Sequence, residues 1–151
     1  MPLPLLLIDM YRGRGSRSYF YNGVFQNFVS GKYDDALQEV ARYYVGDMTP
    51  TAYRKIYDMI VPVLDRIIRK GKLDPDDARA LVRLNIVLEY QKNRNVIHGD
   101  LADGIKDALD DVRNNNQQAK RLAEALRDSL DAILAYKFAV EKKKTEGEEF
   151  E

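Results

Sequence analysis

The sequence predicts an all-α fold, a single-domain bundle of about five helices. Three observations carry this reading. Apolar residues recur at three- and four-residue steps through most of the chain. No segment alternates apolar and polar residues as a half-buried strand would. Helix-start signals stand where the periodic stretches begin. The 151 residues are the size of one domain and enough to bury a proper core.

Residues 1–10, M-P-L-P-L-L-L-I-D-M, are apolar, but they lack a basic start, contain prolines and meet Asp9 within a few positions. That run is too short to span a bilayer and poorly built for a secretory signal, so a cytoplasmic protein with no membrane partner is expected. Y-R-G-R-G-S-R-S-Y follows, three arginines interleaved with glycine between Tyr11 and Tyr19. Residues 1–18 thus read as a flexible basic N-terminal arm, either an ordinary mobile loop or an RNA-contacting segment able to stack on bases.

The helical domain is expected over 19–144. Tyr19, Phe20, Tyr21, Val24, Phe25, Phe28 and Val29 form an aromatic cluster on a short helical turn. A helix over 33–45 places Ala36, Leu37, Val40, Ala41 and Tyr44 on one side and stops at Gly46. The next is the longest: Thr49 is placed to cap it, Pro50 to open it and Gly71 to end it. Tyr53, Ile56, Ile60, Val63, Leu64, Ile67 and Ile68 share its inner face. Pro62 lies inside this helix without a phase change in the apolar rhythm, which predicts one bent helix rather than two.

Asp74, Pro75, Asp76 and Asp77 open another helix that runs to about Lys92. With Leu81, Val82, Leu84, Ile86, Val87, Leu88 and Tyr90 it is apolar nearly all round, the pattern of a buried central helix. After a turn at 93–99, Asp100 is expected to cap a fourth helix using Leu101, Ile105, Ala108, Leu109 and Val112. The last helix, 117–143, presents Leu122, Leu126, Leu130, Ile133, Leu134, Tyr136 and Val140. Residues 145–151 read as a disordered acidic tail.

Composition removes several chemistries. The absence of cysteine excludes disulfides, zinc–thiolate sites and thiol nucleophiles. One histidine, His98, is too few for a multi-histidine metal site. The carboxylate pairs Asp76/Asp77, Asp110/Asp111 and Glu148/Glu149 stand where caps and solvated faces would place them. No catalytic residues, metal or cofactor are expected. Formal net charge is zero, so any case for a nucleic-acid partner rests on local clustering.

Such clustering is present. At roughly 100° per residue, Lys55, Arg66 and Arg69 fall within a narrow arc, with Arg54 on its flank. Lys92 and Arg94 gather at the end of the following helix. A phosphate backbone needs spaced cations, and the guanidinium fork matches phosphate oxygens in pairs. Asp58 and Asp65 lie close enough to compete by internal ion pairing. A different reading attaches to K-N-R-N-V-I-H at 92–98, which looks like the Arg-Asn…His signature of helical HEPN ribonucleases. Here three residues separate Arg94 from His98, where that family has four to six. A third reading is a structural adaptor whose basic stripe meets an acidic protein.

Three blocks together resemble the small subunit of Csm-type (type III-A) CRISPR effector complexes. They are Thr49-Pro50-Thr51-Ala52-Tyr53-Arg54 at a helix start, Tyr90-Gln91-Lys92-Asn93-Arg94 at a helix end, and Asp131-Ala132-Ile133-Leu134-Ala135-Tyr136-Lys137-Phe138 in the last helix. Tyr53 stands where the family has an aliphatic residue, Asn93 where it has glycine, and Lys137-Phe138 where it has His-Lys. The resemblance covers about Tyr19 to Lys144.

That resemblance implies a non-catalytic building block in antiviral defence. Several copies would stack head to tail along CRISPR RNA and target RNA, beside the backbone subunits and against the large subunit at one end. RNA would be held through its phosphates without base reading. Arg54, Lys55, Arg66, Arg69, Lys92, Arg94 and Lys137 are the expected RNA-binding residues. Stacking needs two different complementary surfaces; Glu124, Asp128 and Asp131 on the last helix are the expected acidic one, facing the basic side of the helix at 50–70.

Overall fold

The computed structural model describes residues 16–138, and among them the chain is all helix and turn. Most of the predicted arm and the predicted tail lie outside the described residues. A π-helix, Phe20–Phe25, runs directly into an α-helix, Gln26–Val29, and the two together are α1. Then come α2 (Tyr33–Arg42), α3 (Pro50–Lys70), α4 (Pro75–Asn93) and α5 (Gly99–Asn114). A 3₁₀ turn at Asn116–Gln118 leads into α6 (Ala119–Ile133), which continues as a π-helix over Leu134–Phe138.

Helices α3 to α6 form a four-helix bundle in which each packs on its sequence neighbours and α6 closes back on α3. Short connections make neighbours antiparallel. The α4–α5 seam shows this directly: Asn85 bonds Asp110 at 2.6 Å, Glu89 pairs with Lys106, and Lys92 with Asp103 at 2.9 Å. As one partner's number rises the other's falls. Helices α4 and α6 therefore occupy opposite corners. The α1–α2 hairpin covers the α5–α6 side, and α4 has no such cover.

The predicted ends and inner face of α3 hold. The Thr49 hydroxyl accepts from the Ala52 amide at 3.0 Å, and Gly71 adopts φ 73° at the far end. Tyr53, Ile56, Ile60, Val63, Leu64 and Ile67 are buried, with Ile68 packed half-buried beside them. The helix is continuous across Pro62. Pro62 and Asp58, whose carbonyl loses its donor, both lie on the exposed side.

Four local readings need correction. Helix α2 stops at Arg42 because Tyr43 turns extended (ψ 134°), so consecutive side chains alternate: Tyr43 is buried and Tyr44 exposed. Helix α4 is not buried all round; Leu81, Leu84 and Leu88 face the core, whereas Val82, Ile86 and Tyr90 face out, because a corner helix is covered on one side only. Asp100 does not cap its own helix, which begins after His98 with no side-chain cap. In the last helix, the wider π turn rotates each residue by less than an α turn does, which swings Phe138 inward and leaves Tyr136 exposed. Phe138 stacks on Tyr53 with ring centroids 4.6 Å apart, and the Tyr53 hydroxyl donates to the Leu130 carbonyl at 2.6 Å.

Candidate nucleic-acid interface

One end of the bundle gathers the C-terminus of α2, the start of α3, the α4–α5 turn and the closing π-helix. Several contacts fasten these pieces together. Lys137 Nζ donates to the Ala41 carbonyl at 2.7 Å, tying the π-helix to the last turn of α2. Tyr53 and Phe138 stack across α3 and the π-helix. The His98 ring stands edge-on to Tyr44 at 5.7 Å and Tyr43 at 6.3 Å. Gly46, at φ 63°, passes so near that a Cβ there would sit 3.0 Å from His98 Nδ1. Both the backbone angle and the close approach require glycine.

A shallow cavity of about 310 Å³ opens at this end, lined by Tyr19, Arg42, Tyr43, Tyr44, His98 and Asp100. Arg42, Arg54, Lys55 and Arg94 have no acidic partner within 4 Å among the described residues. Exposed aromatic rings accompany them. Tyr44 is 74% exposed and Tyr90 57%, with the Arg94 guanidinium 5.5 Å above the Tyr90 ring. A cation over an exposed aromatic face is a surface on which a base can stack beside a phosphate contact.

The seven predicted cations divide between the two ends of the bundle. Arg54, Lys55, Lys92, Arg94 and Lys137 belong to this end, while Arg66 and Arg69 lie toward the other, since fifteen residues of helix separate Arg54 from Arg69 by about 22 Å. Arg66 is held by Asp77 at 3.4 Å; Asp77 is buried and also pairs with Lys70 at 3.1 Å. Lys92 is bound to Asp103, a hydrogen bond that raises its pKa. Lys137 caps α2. Arg69 is exposed and has no ion pair among the described residues.

Asp65 turns away from this face and pairs with Arg127 at 2.9 Å, while Asp58 makes no ion pair among the described residues. Arg127 also binds Asp131 at 2.6 Å and the Tyr57 hydroxyl at 2.9 Å. So Asp131, expected on a free acidic face, is engaged in a network that bridges α3 and α6. Arg94 and His98 engage different aromatic partners, Tyr90 for one and Tyr43 with Tyr44 for the other.

Sequence reading missed Arg42 and Tyr44. Placing Tyr44 inside a longer α2 hid both, and the signal against it was the consecutive Tyr43-Tyr44-Val45 before Gly46, a run too apolar for one helical face.

A family model described as Csm2 Type III-A matches residues 32–143. All three sequence blocks fall inside this range, and the α1 segment falls before it. No curated protein and no solved structure gives a significant match.

Proposed function

The chain belongs to the Csm2 family of type III-A systems, whose members are small subunits of type III-A CRISPR complexes, and from that premise we propose how it works. It is a non-catalytic subunit that holds RNA by its phosphates at the end of the bundle bearing Arg42, Arg54, Lys55 and Arg94. Several copies line up along one RNA, and sequence is read by guide pairing rather than by this chain. The carrying observation is the set of four cations without ion pairs among the described residues at one end of the bundle, where Arg42 lines a hollow with Tyr44 and Arg94 stands over the exposed ring of Tyr90. Cations free of internal partners release counterions when they meet phosphates, so binding weakens with salt and is indifferent to sequence. Lys92 and Lys137, each occupied within the fold, position this end rather than grip RNA.

The test measures affinity for unrelated RNAs across a salt series, with Arg54→Glu and Arg94→Glu, alone and within the reconstituted complex. Each lost contact flattens the salt slope by about 0.7 on single-stranded RNA. Unchanged affinity with both reversals in place overturns the interface. RNA cleavage by the pure protein that vanishes in His98→Ala overturns the non-catalytic reading in favour of a ribonuclease.

A further inference from the structure

The outward side of α4 is unusual for a surface helix. Val82 is 40% exposed and Ile86 64%, one turn apart, and Arg79 and Arg83 flank them without an ion pair among the described residues. Of the acids on this helix, Glu89 is taken by Lys106 and Asp77 by Arg66 and Lys70, while Asp76 stands in the first turn, three positions before Arg79. The face is therefore apolar with a largely basic border.

At the opposite corner of the bundle lies its chemical complement. A hollow of about 500 Å³ opens between α1, α2 and α6. Phe28, Tyr33 and Ile68 give it an apolar lining, and Glu124 and Asp128 stand on its wall. Two arginines also line it, but Arg127 is committed to Asp65 and Asp131, and Arg121 donates to the Val29 carbonyl at 2.6 Å. Glu124 and Asp128 have no ion pair among the described residues. Burial raises the Asp128 pKa, the charges of Asp131 and Glu124 raise it further, and Arg127 offsets only part of this, so a further cation from outside would favour the carboxylate.

We infer that these two surfaces are the halves of one contact between successive copies of this chain, the α4 face of one copy seated in the hollow of the next. The inference rests on the reading that copies line up along RNA, and it names the surfaces they use. Opposite placement on a rigid bundle makes the contact heterologous, so it propagates rather than closing on itself. Pairing the α4 face with its own copy would oppose Arg79 and Arg83 to like charges, and pairing hollow with hollow would oppose carboxylates. Charge thus selects the alternating arrangement. A single helix face is smaller than the roughly 800 Å² per partner of a stable interface, so contact becomes effective only when RNA raises the local concentration of neighbours.

Three variants test this in the reconstituted complex: Arg79→Glu with Arg83→Glu, Glu124→Lys with Asp128→Lys, and all four changes together. Native mass spectrometry counts copies per complex, and circular dichroism confirms the fold of each free variant. Either pair of reversals should cut the copy number toward one, and the fourfold variant should restore it. Unchanged copy number in both pairs, or no recovery in the fourfold variant, overturns the inference while leaving the RNA reading intact. Failure of the wild-type chain to enter the complex in more than one copy overturns both.

Discussion

The phenol of Tyr43 donates a hydrogen bond to the carboxylate of Asp100, 57 positions along the chain. The same carboxylate accepts the backbone amides of Tyr19 at 2.7 Å and Phe20 at 3.0 Å, and the buried Ser18 hydroxyl donates to the Asp100 carbonyl at 2.9 Å. Asp100 thus satisfies the free amides at the start of α1 from a different helix, while Ser18 Oγ accepts the Tyr21 amide at 3.1 Å. Burial raises the Tyr43 pKa, and the hydrogen bond to Asp100 raises it further, so the phenol remains a donor at any physiological pH.

Replacing Asp100 with alanine strands two amides and the Tyr43 hydroxyl together, while Ser18 keeps the backbone carbonyl. Urea denaturation should show a loss on the order of 3 kcal/mol. Tyr43→Phe removes one donor from an acceptor that keeps others, and about 1–2 kcal/mol is expected. Equal midpoints for wild type and Asp100→Ala would show that this junction contributes nothing to the fold.

Gly104 on α5 lies against the same segment. A Cβ there would meet Phe20 Cδ2 at 2.8 Å and Phe20 Cβ at 3.0 Å. Phe20 is fully buried and has nowhere to move. Gly104→Ala should therefore destabilise by about 1–3 kcal/mol, although alanine is the better helix former. A thermal midpoint equal to or above wild type would contradict this packing.

How legible these features are in sequence depends on how local their causes are. For α3, the cap, opening proline, apolar face and closing glycine all lie within its own residues, and all four readings hold. Asp100 reads as a local cap because its actual donors stand 57 to 82 positions away. The exposed side of α4 is illegible for a similar reason: periodicity says that Val82, Ile86 and Tyr90 are apolar, but only the arrangement of neighbours says which side is covered. At the candidate site, Arg54, Lys55 and Arg94 were visible as clustered charge. The occupation of Lys92 by Asp103 and of Lys137 by the Ala41 carbonyl required the fold.

Asp107 supplies a pH signature. Its pKa rises from 3.8 to about 6, chiefly through burial and then through Asp110, Asp103 and Asp111, against a hydrogen bond from Ser16. A folded-state value above the unfolded one means that the folded chain binds more protons between these limits. Stability should therefore rise as pH falls through that window, by about 1 kcal/mol after allowance for a half-exposed group. Asp107→Asn should abolish this share of the slope. A variant with the same pH–stability curve as wild type would remove Asp107 as its source.

The structure divides the predicted RNA-binding cations by what they already hold, and this division predicts different phenotypes. Arg54 and Arg94 have no internal acid partner among the described residues, so reversing them should weaken RNA binding and leave the urea midpoint within about 0.5 kcal/mol of wild type. Arg42, absent from the sequence-based set, should behave like them. Arg66 differs, because its partner Asp77 is buried and the pair joins α3 to α4. Arg66→Glu places a second carboxylate against Asp77, leaving Lys70 to balance both. It should cost more than 1 kcal/mol of stability while RNA affinity per folded molecule stays near wild type. Lys137→Ala should loosen the end of α2 and reduce RNA binding only through that loss. Measuring both quantities on the same five variants separates grip from scaffold. If Arg66→Glu lowers RNA affinity as much as Arg54→Glu does, without a stability change, RNA follows the length of α3 rather than its end.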